Sequence, residues 1–182
     1  MIRRNLTARL SKRSSVLIIL GIDPGVAIVG WAVIESVRGR TRPIAYGAIT
    51  TPAHTDIEAR LLMIENDLNT IIDKYRPDEM AIEELFFNTN QTTAIAVAEA
   101  RGVILLAAHR KGVKISEYTP LQVKQAVVGY GKAEKRQVIA MVTSILKLPA
   151  PPKPDDTADA VAIALCHSQC AGSAMGKYFN NR

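Results

Sequence analysis

Cysteine is scarce in this sequence: Cys166 and Cys170 are the two thiols in 182 residues. Two are too few for a disulfide framework, and they fit a reducing compartment. Long apolar runs are missing as well. The run "VLIIL" from Val16 is far too short to span a bilayer, and the first fifteen residues hold no apolar core of signal-peptide length. Secretion and membrane insertion are unsupported, and a cytoplasmic location is expected. Histidine is rare: His54, His109 and His167 each lack a serine or cysteine in a strained turn of the G-x-S-x-G kind, which argues against covalent catalysis. Acid is absent from "MIRRNLTARLSKRSS", which carries five basic residues. Such a start reads as a loose basic arm, an over-long start or, as a minor alternative, an organellar transit peptide.

What is present is a globular composition of about one domain, with 48% hydrophobic residues and modest Pro (9) and Gly (11). Twenty-three Lys/Arg against 17 Asp/Glu give a formal charge of +6 and a pI near 9.5. That favours an anionic partner, nucleic acid first, although without its basic start the body is close to neutral. The organisation expected is a flexible extension over residues 1–15, one nuclease-sized domain over 16–172 and a frayed tail over 173–182.

The patterning predicts strands over Val16–Ile22, Ile28–Ser36 and about Ile44–Ile49, joined by a Pro24-Gly25 turn and a polar turn "RGRTR". Short turns make these an antiparallel meander. A helical period over Asp56–Tyr75 stops at Pro77; "EMAIEELFF" (Glu79–Phe87) reads as a buried strand, Thr89–Arg110 as a small-residue helix and "VKISEYTP" as another strand. Helices follow at about Thr119–Val128, Ala133–Leu146 and, after the Pro-rich "LPAPPKPDD", Asp155–Ala171. Crossover helices make the later pairings parallel. The result is an α/β chain with a mixed five-stranded sheet, three antiparallel strands then parallel ones, and helices on both faces: a ribonuclease H-like order.

Acids stand at informative places in that order. Asp23 ends an apolar strand, where a charge is costly without a partner; it is either a ligand presented at the strand's edge or the capping aspartate of an Asp-Pro-Gly turn. Glu83 and Glu84 close another apolar run and fall on opposite faces of the sheet, so one of them shares a side with Asp23. On the last helix Asp159 shares a face with Asp156, three residues away, and with Asp155, four away. Aspartates in a first helical turn cap free N–H groups without any other task, but Asp159 lies a turn further in. Gathered together, such carboxylates repel one another and call for divalent cations. Oxygen ligands without His or Cys select Mg²⁺ or Mn²⁺, and two such ions roughly 3.5–4 Å apart suit in-line phosphodiester displacement.

The stretches "GIDPG", "AIEELFF", "ARGV", "VKQAVVGYGKAEKRQV", "LKLP" and "DDTADAVAIALCH" occur in order between Val16 and His167. Together they resemble the RuvC family of bacterial Holliday-junction resolvases. The resemblance implies a ribonuclease H-like fold and a homodimer that makes paired symmetric nicks in strands of like polarity at a four-way DNA junction. It further implies Mg²⁺ as cofactor, two ions per site with Mn²⁺ able to substitute, and RuvA and RuvB as branch-migration partners. The family's four catalytic acids fall on Asp23, Glu83, Asp156 and Asp159, with the choice between Asp155 and Asp156 open; some members carry histidine at the place of Asp156. Phe86 falls where the family wedges an aromatic against unpaired bases, a stacking worth about 1–3 kcal/mol per base. Phe87 is read as core. Lys124 and Lys135 fall on lysines that face the DNA backbone. The helix with "TTAIAVAEARGVILLAA" is expected at the dimer interface, its alanines letting two helices approach. Residues Met1–Ser15 have no counterpart in the family pattern.

Other signals are set aside. "GYGKAEK" lacks the first glycine and the Ser/Thr of a phosphate loop. Cys166 and Cys170 could share a metal, but without a further ligand on an apolar helix they read as packing. An actin-like ATPase would need two related domains. A non-enzymatic nucleic-acid-binding module, its acids serving as caps and turn residues, is the remaining rival.

Overall fold

In the computed structural model, residues 16–85 and 91–171 are described. The opening strand β1 (Val16–Asp23) is the centre of a five-stranded sheet in the order β3-β2-β1-β4-β5. It pairs antiparallel with β2 (Ile28–Val37), which pairs antiparallel with β3 (Arg40–Thr50). On the other side β4 (Glu79–Glu83) and β5 (Lys114–Tyr118) run parallel to β1. A central strand covered on both faces has no use for polar residues, which is why "VLIIL" is unbroken.

Two helical layers cover the sheet. Leu20 and Ile22 of β1, with Met80 and Ile82 of β4, pack against α1 (Ile57–Tyr75) and α2 (Gln91–Arg110). Ile19 and Ala81 point to the opposite face, beneath α3 (Pro120–Val128), α4 (Lys135–Ile145) and α5 (Asp155–Cys170). α5 is buried almost all round, its long run of alanines and small residues letting it lie directly on the strands. A Cβ on Gly21 would collide with the Ala160 carbonyl oxygen and with Ala164, so only glycine lets β1 and α5 approach this closely. Cys166 and Cys170 are buried in this layer, as packing residues.

The boundaries differ from expectation in two places. β3 starts at Arg40 rather than Ile44, because the turn shrinks to Arg38-Gly39, both at positive φ (51° and 78°). This two-residue hairpin lets Arg42 pair across the strands with Glu35. Pro43 is tolerated because β3 is an edge strand and the register shifts at Val33/Ile34, opposite it. β4 ends at Glu83, not at Phe87; Phe86 and Phe87 lie outside the described residues, as do residues 1–15 and 172–182. Among the described residues no helix is long and apolar enough to cross a membrane.

Candidate active site

Alternation along β1 carries Ile19, Gly21 and Asp23 to the α5 face, and along β4 it carries Glu79, Ala81 and Glu83 to the same face. Of the pair Glu83 and Glu84, Glu83 therefore shares a side with Asp23. α5 crosses above them with Asp156 and Asp159 in its first turns. Asp23 lies opposite Gly30 in the β1–β2 register, and a Cβ on Gly30 would run into the Asp156 carbonyl. Gly30 thus lets the start of α5 settle beside Asp23.

Asp23 feels the charges of the other three acids. Burial pushes the Asp23 carboxyl up to about 8, reinforced by the charges of Asp159, Glu83 and Asp156. Burial, then Asp159, lifts Glu83 to about 7. Asp159 is also raised, by burial first and against the pull of Lys135. Asp156 rather than Asp155 is the neighbour whose charge reaches Asp23; Asp155 is more exposed and lies 3.8 Å from the Lys135 ammonium. Burial leads each of these shifts, and the repulsion between neighbouring carboxylates adds to it.

Lys135, the first residue of α4, places its Nζ 2.6 Å from Asp159 Oδ2. Burial works against the ammonium, but the bond to Asp159 and the fields of Asp159, Asp155 and Asp23 outweigh it and raise its pKa. Lys124 joins Lys135, Glu83, Pro120, Val123, Val138 and Asp159 in lining a cleft beside the acids. Both lysines expected to face DNA therefore sit at the rim of the acid cluster. Among the described residues no group of three acidic, histidine or cysteine side chains is drawn together closely enough to hold a metal ion, and Lys135 stands between the acids instead.

The supports around these acids were not read from the sequence. Arg101 on α2 donates from Nε to the Glu83 carbonyl at 3.3 Å and bonds the Glu117 carboxylate, fixing the ends of β4 and β5. Thr157 donates to the Gly47 carbonyl at 3.0 Å, tying α5 to the edge strand. Thr51 donates to the Val26 carbonyl at 2.6 Å and accepts from Arg60, holding the turn after Asp23. The glycines inside β1 and β2 were the available sequence signal for close approach; the arginine contacts had none.

The family model described as crossover junction endodeoxyribonuclease RuvC matches residues 19–167, most of the chain and every acid discussed. The chain belongs to the RuvC family. Among curated RuvC proteins, that of Clostridioides difficile is 57% identical over 152 residues, covering 84% of this chain and 90% of the relative. The RuvC of Heliobacterium modesticaldum is 58% identical over 157 residues, covering 86% and 95%. The solved structure of Thermus thermophilus RuvC in complex with Holliday junction substrate is 34% identical, with a TM-score of 0.82 and coverage of 87% of this chain and 97% of that one. The mixed sheet and its helical layers are therefore those of RuvC structures, as the order of elements in the sequence implied.

Proposed function

We propose that this chain is a Holliday-junction resolvase: a structure-selective endonuclease making paired, symmetric nicks in strands of like polarity during recombination and repair. The observation that carries it is the gathering of Asp23, Glu83, Asp156 and Asp159 on one face of the sheet, under a lysine-lined cleft, in a RuvC-family chain. A protein that only held DNA would gain nothing from buried acids that repel both one another and phosphate, so the binding-module rival is not favoured.

The donor set fits a hard divalent cation: four carboxylates from three elements, mutually repelling where they meet, with no soft ligand among them. In this reading Asp23, Glu83, Asp156 and Asp159 hold Mg²⁺, two ions per site, with Mn²⁺ able to substitute. When bound, such ions supply Lewis acidity for in-line phosphodiester hydrolysis, giving 5′-phosphate and 3′-hydroxyl ends. Lys124 and Lys135 draw the DNA backbone into the cleft, and Phe86 stacks on an unpaired base at the crossover. The β1 and β4 backbones keep Asp23 and Glu83 from drifting apart, since both strands are locked in the middle of the sheet.

A homodimer would present two such sites to the two crossover strands. The helix expected at its interface is α2, whose Ala100, Ala107 and Ala108 pack inward against the sheet while Ala94, Ala96 and Ala98 are partly open. Ile95, Glu99, Gly102 and Leu106 form the outward stripe, beside exposed Leu62 and Met63 of α1. Their spacing of four, three and four residues is that of a helix–helix seam. RuvA and RuvB remain the partners suggested by family, and a bacterial cytoplasm the location.

The deciding experiment incubates purified protein with a mobile four-way junction, a matched duplex and a Y-fork, with and without Mg²⁺. Symmetric nicks in the junction alone, requiring the metal, are expected. Equal cutting of duplex, or indifference to Mg²⁺, would overturn the reading.

A further inference from the structure

The bond between Lys135 and Asp159 has a meaning beyond DNA contact. Among the acids of the cluster, the cation that reaches furthest is this ammonium. It bonds Asp159 at 2.6 Å, lies 3.8 Å from Asp155, and its field also reaches Asp23 and Glu83. We propose that Lys135 is the resident counter-cation of the metal-free site, and that a divalent ion takes Asp159 by displacing it.

Resting on the reading of these acids as metal ligands, the inference follows from two effects of one sign. The Nζ holds one oxygen of the Asp159 carboxylate that an ion would have to share, and its charge would oppose a second cation within a few ångströms. Neither depends on the backbone of α4, which is fixed at its start by the reciprocal Glu134 and Gln137 capping bonds. Only the flexible lysine stem need swing. The cleft offers it another place, because a DNA phosphate entering beside Lys124 competes with Asp159 for the same ammonium. Junction binding and ion loading therefore assist one another, by reciprocal linkage. Without DNA the ammonium keeps the acids apart from loosely held cations; with DNA it leaves them.

The test is calorimetric titration of the DNA-free full chain with Mn²⁺, comparing wild type with Lys135→Gln, Lys124→Gln and Asp23→Asn. Lys135→Gln is expected to bind Mn²⁺ about fivefold more tightly, equivalent to about 1 kcal/mol, although it cuts junctions less well. Lys124→Gln, which removes the same charge from the same cleft, is expected to change Mn²⁺ affinity by less. Unchanged or weaker binding by Lys135→Gln, or equal tightening by Lys124→Gln, overturns the displacement while leaving the metal site standing. Wild-type affinity retained in Asp23→Asn instead overturns the metal site itself. The Lys135→Met variant repeats the measurement without a hydrogen-bonding side chain and should tighten binding likewise.

Discussion

His167 Nε2 lies 2.6 Å from Glu79 Oε2, joining the far end of α5 to the start of β4. At the other end of the same two elements stand Asp159 and Glu83. Four residues of strand span about 13 Å and eight of helix about 12 Å, so the two contacts are matched in spacing along antiparallel elements. The His167–Glu79 bond thereby fixes the register in which α5 presents its acids to β4. Tyr118 Oη, 2.8 Å from His167 Nδ1, and Lys114, 3.2 Å from Glu79 Oε1, complete the chain.

This bond predicts a pH effect on stability. Burial lowers the His167 pKa despite the pull of Glu79, so in the fold the ring stays neutral where an unfolded chain's histidine has already taken a proton. The unfolded state then binds more protons, and this group's contribution to stability falls as pH drops below 6.5. The raised acids of the site contribute with the opposite sign, so the effect is read as a difference: from pH 7 to pH 5 the wild-type urea midpoint should fall relative to that of His167→Gln. That variant should also lose about 1–3 kcal/mol at pH 7, from the partners left unmatched.

Asp23→Asn, Glu83→Gln and Asp159→Asn should each abolish cleavage while sparing junction binding, measured by strand nicking beside gel-shift affinity. Near-normal cutting by any one would remove that residue from the site. In the metal-free protein Asp23→Asn should also be the more stable at pH 8. Because the native Asp23 carboxyl titrates near 8 and its unfolded counterpart near 3.8, the native state holds the extra proton between those values. The contribution of Asp23 to stability therefore declines as pH rises through that window, and the asparagine variant escapes it. A thermal-melt series over pH 5–8 without divalent ions reads the difference.

Gly30→Ala should reduce cleavage far more than junction affinity, because its methyl group must push the Asp156 backbone, and with it the first turn of α5, away from Asp23. A stability loss of about 1–3 kcal/mol accompanies overpacking of this kind. Wild-type turnover in a folded Gly30→Ala protein would show that the close approach does not set the acid geometry.

Arg101→Lys keeps a cation near Glu117 but cannot reproduce the fork that also holds the Glu83 carbonyl. Turnover should fall about tenfold, corresponding to about 1.4 kcal/mol, with the Michaelis constant for junction little changed. A rise in the Michaelis constant alone would assign Arg101 to DNA binding instead.

Leu106→Glu, on the outward stripe of α2, should convert a dimer to monomer in sedimentation experiments and remove paired nicking. An unaltered mass would place the interface elsewhere.

Much of this molecule was legible in its sequence because the signals were local and periodic. Strand alternation set Asp23 and Glu83 at the ends of apolar runs, and helical spacing put Asp156 and Asp159 on one face. Which of Asp155 and Asp156 would stand nearer Asp23 was not legible, since both are compatible with a first helical turn; it depends on how α5 lies over Gly30. Lys135 illustrates the same limit. Spacing placed it on a helix, but its bond to Asp159 joins residues twenty-four apart and exists only through the packing of α4 against α5. The extent of β3 was misjudged because arginines ordinarily mark a turn, whereas the cross-strand partner Glu35 makes Arg42 part of the strand.

Between Asp155 and Cys170, only Asp155 and Gln169 are exposed and only Asp156 and Asp159 are partly so; the other twelve residues are buried. A helix enclosed in this way cannot drift by a residue without driving a dozen side chains into occupied space, so the acids at its start are aimed by steric lock along its whole length. Tolerance to substitution should therefore be lowest not around the lysine-lined cleft but in the alanine-rich stretch behind it, where an added methyl group would shift Asp156 and Asp159 from up to about 12 Å away.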